Sequence, residues 1–156
     1  MNQPSRPIIV VLGVIVAALL SASRAEAAAS CTISTTAVSF GAYDVFGASP
    51  TDSTGTLTYR CSGNAKNLVI TLSKGASATF NPRTMTNGTD TMSYNLYKDA
   101  ARSTIWGDGT GGSQNYQPAN PSNNTNYVVT IYGRIPASQD VSAGSYTDTI
   151  TATVNY

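Results

Sequence analysis

The chain ends on GSYTDTITATVNY, where Tyr146, Ile150, Ala152, Val154 and Tyr156 share one parity and Thr147, Thr149, Thr151 and Thr153 share the other. A period of two sustained over ten residues predicts a β-strand with one buried face. The same alternation recurs upstream. CTISTTAVSF, from Cys31 to Phe40, opens a first strand. GTLTYRCS aligns Leu57, Tyr59 and Cys61, and NLVITLS aligns Leu68, Ile70 and Leu72. TMSYNLYK aligns Met92, Tyr94 and Leu96, and NYVVTIYGRIP aligns Tyr127, Val129 and Ile131. With the terminal stretch this makes six strands, and a weaker seventh falls near Arg83–Thr86. Helical spacing of apolar residues is almost absent. Short alternating runs divided by Gly, Pro, Asn and Asp predict an all-β chain folded as an antiparallel β-sandwich.

The connections carry their own signals. Asn87-Gly88 is the strongest two-residue hairpin signal, because a type I′ turn needs positive φ at both central residues. Trp106–Asn126, WGDGTGGSQNYQPANPSNNTN, is polar and too long for a tight turn, so it reads as a surface loop. No internal repeat and no linker divides the chain.

The first 27 residues break the pattern. Arg6 precedes an apolar run from Ile8 to Leu20, and Ala25 and Ala27 have the small-residue spacing that a signal peptidase reads. The run is shorter than the roughly 20 residues a bilayer span needs. We therefore expect a secretory signal over 1–27, a mature domain over 28–156, and no stable membrane span after cleavage.

Composition then narrows the function. The chain has no His, and its one Glu, Glu26, lies in the leader, so the mature domain lacks the commonest general base and metal ligand. That argues against an enzyme and against a cofactor or metal. The formal net charge of +1 includes Arg6, Arg24 and Glu26, so the mature part is neutral and has no basic face for nucleic acid. Asp90 and Asp108 are the candidate calcium ligands, but neither has the spacing of a calcium loop, and turn chemistry explains both. The Gly-rich loop is followed by no Lys and no helix, so it is no phosphate cradle. Export places Cys31 and Cys61 in an oxidising compartment, where they form one disulfide. A reactive or metal-binding pair is the rival reading, disfavoured by their distance in sequence and the missing His. Nine tyrosines suit strands, and they also suit sugar binding. Trp106 and Tyr116, in the long loop, are the candidate ligand contacts of a carbohydrate- or surface-binding adhesin. Asn87-Gly-Thr and Asn123-Asn-Thr are sequons that matter only in a glycosylating source.

Several stretches together resemble a known family: CTISTTAVSFGAYDVF, GTLTYRC, TMSYNLYKDAARSTIWGDG and IYGRIPASQDVSAGSYTDTITATVNY. They look like the spore coat protein U domain, a family that includes the subunits of archaic, Csu-type chaperone-usher pili. The resemblance covers Cys31 to Tyr156. It implies an incomplete immunoglobulin-like sandwich whose final strand is supplied in trans, first by a periplasmic chaperone and then by a neighbouring subunit delivered to an outer-membrane usher. It implies transit through the periplasm to the cell surface, in a pilus or coat. Ile150, Ala152, Val154 and Tyr156 would then form one wall of the acceptor groove and contact the chaperone. Cleavage after Ala27 leaves only AAS before Cys31, too short to span such a groove, so the chain is expected to accept a strand without donating one. A tip subunit, a secreted coat protein and a capping domain all fit that expectation.

Overall fold

The computed structural model describes residues 28–156, so the leader reading over 1–27 lies outside the described residues. Seven strands form: β1 (Ser30–Thr36), β2 (Thr51–Ser62), β3 (Val69–Leu72), β4 (Arg83–Thr86), β5 (Thr91–Tyr97), β6 (Asn126–Ile135) and β7 (Ala152–Asn155). Among the described residues there is no helix. One sheet runs β1-β2-β6-β5-β4 and the other pairs β3 with β7, every pairing being antiparallel. The all-β sandwich expected from the alternation is what forms, and β4 falls on the weak seventh segment.

The parity of each strand decides what lies between the sheets. Leu57, Tyr59 and Cys61 of β2, Ile70 and Leu72 of β3, and Met92, Tyr94 and Leu96 of β5 all point inward and are buried. Each buried side chain of this size stabilises the fold by roughly 1.5–3 kcal/mol. β6 is less uniform: Ile131 and Ile135 are buried, while Tyr127 and Val129 are half-buried near its start. Cys31 and Cys61 sit directly opposite each other on β1 and β2 and are joined by a disulfide.

Four sequence expectations need correcting. The first strand stops at Thr36, not Phe40. Beyond it the chain lays Val38 and Phe40 against the bare backbones of Gly55 in β2 and Gly133 in β6. A glycine inside a strand often marks such a close approach. The β4–β5 connection has four residues, Asn87–Asp90, not two. Asn87 Oδ1 accepts from the amides of Thr89 and Asp90 at 3.0 and 2.7 Å, so an Asx-type turn replaces the type I′ turn.

The stretch from Trp106 to Asn126 is not wholly a surface loop. Its first half folds back into the sandwich through bridges pairing Trp106 with Gln114 and Ile70 with Tyr116. Trp106 is fully buried and donates its indole N–H to Ile70 O at 3.1 Å. Finally, Tyr156 keeps the phase of the buried face yet is 51% exposed. β3 begins at Val69, the partner of Asn155, so Tyr156 runs past the end of the strand it would pack along.

Arg83 is the residue the pattern hid. It occupies an inward position on β4 at zero exposure. Its guanidinium donates to Ser73 O at 3.1 and 2.9 Å, Trp106 O at 2.6 Å and Asn95 Oδ1 at 2.7 Å, and it lies 5.2 Å from the Phe80 ring centre. One buried side chain thus gathers three segments and satisfies their carbonyls.

Candidate functional site

The two sheets do not close on each other along one side. β1 is bonded only to β2, and β7 only to β3, so among the described residues the facing edges of β1 and β7 are unpaired. Neither strand carries a charged residue. Natural proteins protect such edges with Lys, Pro or bulges, so an uncharged open pair is a ready template for another strand.

Past the ends of these strands the gap widens into a cavity of about 1220 Å³. One wall is Ala37–Phe46, which continues β1, and the other is Val141–Ile150, which leads into β7. The floor is the sandwich interior itself, including Leu72, Met92, Leu96 and Ile131. The volume exceeds the roughly 300–1000 Å³ of small-molecule pockets. Along the strands themselves β1 and β7 approach within 8 Å, Cα to Cα. Two strand spacings need about 9.5 Å, so a strand inserted there must spread the two edges apart.

Each wall is pinned by polar contacts. Tyr43 donates its hydroxyl to Pro136 O at 2.9 Å and accepts from Gln139 N at 2.9 Å, fastening the first wall to the chain leaving β6. Gln139 in turn exchanges two hydrogen bonds with the backbone of Ser93, at 2.7 and 2.9 Å, in the manner of a neighbouring strand. The second wall is tied at Thr147, which exchanges backbone hydrogen bonds with Thr86 at 3.0 and 3.1 Å. Asp90 accepts from Ser142 N at 2.9 Å and Tyr146 Oη at 3.3 Å. The amides of Ser142 and Thr91 beside this carboxylate hold its pKa below the usual aspartate value. Asp108, by contrast, only caps its own turn at Thr110.

Tyr94 touches both walls from the floor. Its ring lies edge-on to Phe40 at 6.1 Å, and its hydroxyl donates to Asp148 Oδ2 at 2.6 Å. Burial first, and then the Asp148 carboxylate, push the phenol well above its ordinary range. Tyr94 is therefore a neutral donor at every working pH.

Of the four residues expected to form the groove wall, Ile150 lines the cavity. Ala152 and Val154 are half-buried against the core in β7, beyond the open part. Tyr156 is exposed at the end of that strand. The opening therefore lies along 141–150, N-terminal to where the parity alone placed it. The first wall was not singled out as groove, although Gly55 and Gly133, interrupting two apolar strands, were its signal. Of the two candidate ligand contacts, Trp106 belongs to the core, and Tyr116 is half-buried with its ring 5.4 Å from Trp106. Trp106 therefore cannot meet a ligand from solvent. Among the described residues no three His, Cys, Asp or Glu side chains converge on a metal-sized site.

Comparison with known proteins places this geometry. Residues 16–153 match the Spore Coat Protein U domain. Protein U of Myxococcus xanthus is 32% identical over 121 residues, which cover 72% of this chain and 62% of that protein. The chain thus spans about three fifths of the length of that relative. Among solved structures, a chain of the CsuC–CsuE chaperone–tip adhesion subunit pre-assembly complex, from the archaic chaperone-usher Csu pili of Acinetobacter baumannii, superposes with a TM-score of 0.58. It shares 23% identity over 83% of this chain and 40% of its own length, a likeness of fold. With the match running through nearly every strand described above, the chain belongs to the Spore Coat Protein U domain family.

Proposed function

We propose that the domain is a structural subunit of a surface pilus or of a spore or cell coat, and that it assembles by accepting a β-strand from another polypeptide. The observation that carries this reading is the pair of uncharged, unpaired edges flanking a cavity whose floor is the hydrophobic core. An extended chain with alternate apolar residues satisfies both features: its backbone pairs with the edges and its side chains complete the interior. Eight such hydrogen bonds at ~1 kcal/mol each and five buried side chains at ~1.5–3 kcal/mol each are the gross scale of the gain.

The partners in this reading are a periplasmic chaperone, an outer-membrane usher and neighbouring subunits, met in transit to the cell surface. The relative solved with its chaperone supports that assignment by analogy of fold. The domain works as an acceptor, as a tip or capping subunit or as a coat protein, after removal of the leader over 1–27. Its role is assembly and not catalysis. The carbohydrate-binding reading of 106–126 is the weaker one, since its main aromatic group is inside the core.

The test is a thermal titration of the purified domain with a twelve-residue peptide of alternating Val or Ile and Thr. At a hundredfold excess over Kd, binding adds ~2.7 kcal/mol, worth about 10 °C in Tm for a domain of this size. A peptide of the same composition with the alternation scrambled should leave Tm unchanged. Equal shifts from both peptides, or none from either, would refute the acceptor role.

A further inference from the structure

The chain has three methionines, and the two among the described residues, Met85 and Met92, stand directly opposite each other across the β4–β5 ladder. Opposed side chains on one face of a sheet have Cβ atoms about 4.5–5.5 Å apart, so the two thioethers form one patch. Both take the inward parity of their strands, at 8% and 4% exposure, and both line the cavity between the walls. A water molecule's share of the liquid is about 30 Å³. A cavity of about 1220 Å³ therefore admits solvent, and solutes little larger than water, down to these side chains.

The pair differs chemically from its neighbours on the floor. Leu72, Leu96, Ile131 and Ile135 present only hydrocarbon. A thioether sulfur is soft and nucleophilic, and it takes an oxygen atom from hydrogen peroxide. The sulfur attacks one peroxide oxygen, an S–O bond forms as the O–O bond breaks, and the departing hydroxide removes the proton from the new S–OH group as water. Sulfur loses two electrons and the peroxide gains them. The sulfoxide oxygen is a polar acceptor that needs a donor once water is excluded. The next inward pair along the same ladder, Arg83 and Tyr94, has its donors engaged elsewhere. Arg83 binds Ser73 O, Trp106 O and Asn95 Oδ1, and Tyr94 binds Asp148 Oδ2. An empty groove leaves the sulfoxide in water, whereas a seated strand covers it with apolar side chains.

We infer that Met85 and Met92 are a paired oxidation site for peroxide, a modification that weakens the groove for a lent strand and from which a seated strand shields them. The inference rests on the acceptor reading above and adds a regulation of that same site. It makes the unassembled domain sensitive to oxidant and the strand-bound domain resistant. Reversal needs a methionine sulfoxide reductase, with a dithiol giving up two electrons and the oxygen leaving as water.

Peroxide footprinting of the purified protein tests it, with digestion and mass spectrometry reading one added oxygen per methionine. In the free protein both residues should oxidise within about tenfold of the rate of free methionine, since susceptibility follows access. The alternating peptide at saturation should slow both by about tenfold or more, and the scrambled peptide should slow neither. The doubly oxidised protein should keep a cooperative melt, while its Kd for the alternating peptide rises about tenfold, the effect of covering an uncompensated polar group. Met85→Leu combined with Met92→Leu, a swap of nearly equal volume, should bind the peptide equally well before and after peroxide.

Four results each overturn the oxidation site and leave the acceptor reading standing: much slower oxidation in the free protein, no shielding by a peptide that binds, an unchanged Kd after oxidation, or peptide binding lost on peroxide treatment of the double-Leu protein as well. Loss of the cooperative melt on oxidation also overturns it, because the sulfurs would then be packing groups of the core and not part of an open floor. An untreated protein that does not distinguish the alternating from the scrambled peptide overturns the acceptor reading, and the regulation with it.

Discussion

At the scale of single residues, two inward polar groups do the work that an alternating pattern cannot announce. Arg83 binds Ser73 O, Trp106 O and Asn95 Oδ1 from a fully buried site. Burial lowers its pKa, yet the carbonyl cage and the Phe80 ring replace the lost water. Arg83→Met keeps the aliphatic bulk and strands those oxygens. It should cost about 3–5 kcal/mol in urea unfolding, the scale of removing one partner of a buried charged network. Arg83→Lys should recover little of this, since one ammonium cannot reach groups arranged around a planar fork. Tyr94→Phe is a gentler probe. It keeps the ring against Phe40 and deletes the hydroxyl that reaches Asp148, so a loss of ~1–2 kcal/mol is expected. Hydrogen exchange should then quicken around Thr147–Ile150 and stay unchanged in β2. Uniform acceleration across the sandwich would mean that Tyr94 is core packing and not a tie to the second wall.

Elements show which parts of the fold were legible in the sequence and which were not. Strands whose inward residues meet a full sheet, such as β2 and β5, announce themselves because burial follows parity, with Asn95 of β5 the buried residue out of phase. The terminal segment has the same parity, but only Ala152–Asn155 becomes regular strand. Its earlier half is fixed by isolated contacts with Thr86, Asp90 and Tyr94, long-range partners that no local period encodes. The first wall was illegible for a related reason. Val38 and Phe40 are placed by two glycines that lie 17 and 93 residues further on in the chain. Gly133→Ala would put a methyl 2.6 Å from Val38 Cγ1 and 2.7 Å from Phe40 Cζ. The expected outcome is a wall pushed off the sheet, at ~1–3 kcal/mol, the usual cost of overpacking. Acid should loosen the opposite wall. Asp90 has a folded pKa below its unfolded value of 3.8, so its contribution is present above that value and is lost as pH falls through the lower one. Exchange protection at Ser142, corrected for intrinsic rates, should fall as the pH drops below about 4. It should stay flat over that range in Asp90→Asn.

For the whole molecule, the weakness of the design is that β1 has one strand neighbour where an inner strand has two, and it is the disulfide that offsets this. Cys31 and Cys61 are opposed in the β1–β2 register, so the bridge fastens the edge strand to its only partner. The 30-residue separation corresponds to about 3.6 kcal/mol in the chain-entropy treatment, a large part of the ~5–15 kcal/mol by which domains are stable. Replacing both cysteines with Ala should therefore lower the unfolding free energy by about that amount and bring the urea midpoint down with it. The slope of the transition should rise, because the unbridged chain exposes more surface when unfolded. A bound strand gives β1 its second neighbour and bypasses the bridge altogether. The alternating peptide should accordingly raise the midpoint of the double-Ala domain and restore exchange protection along Ser30–Thr36. A double-Ala domain that melts like the parent would mean that β1 is held by packing alone. Restored protection in β2 without any in β1 would place the added strand somewhere other than the gap.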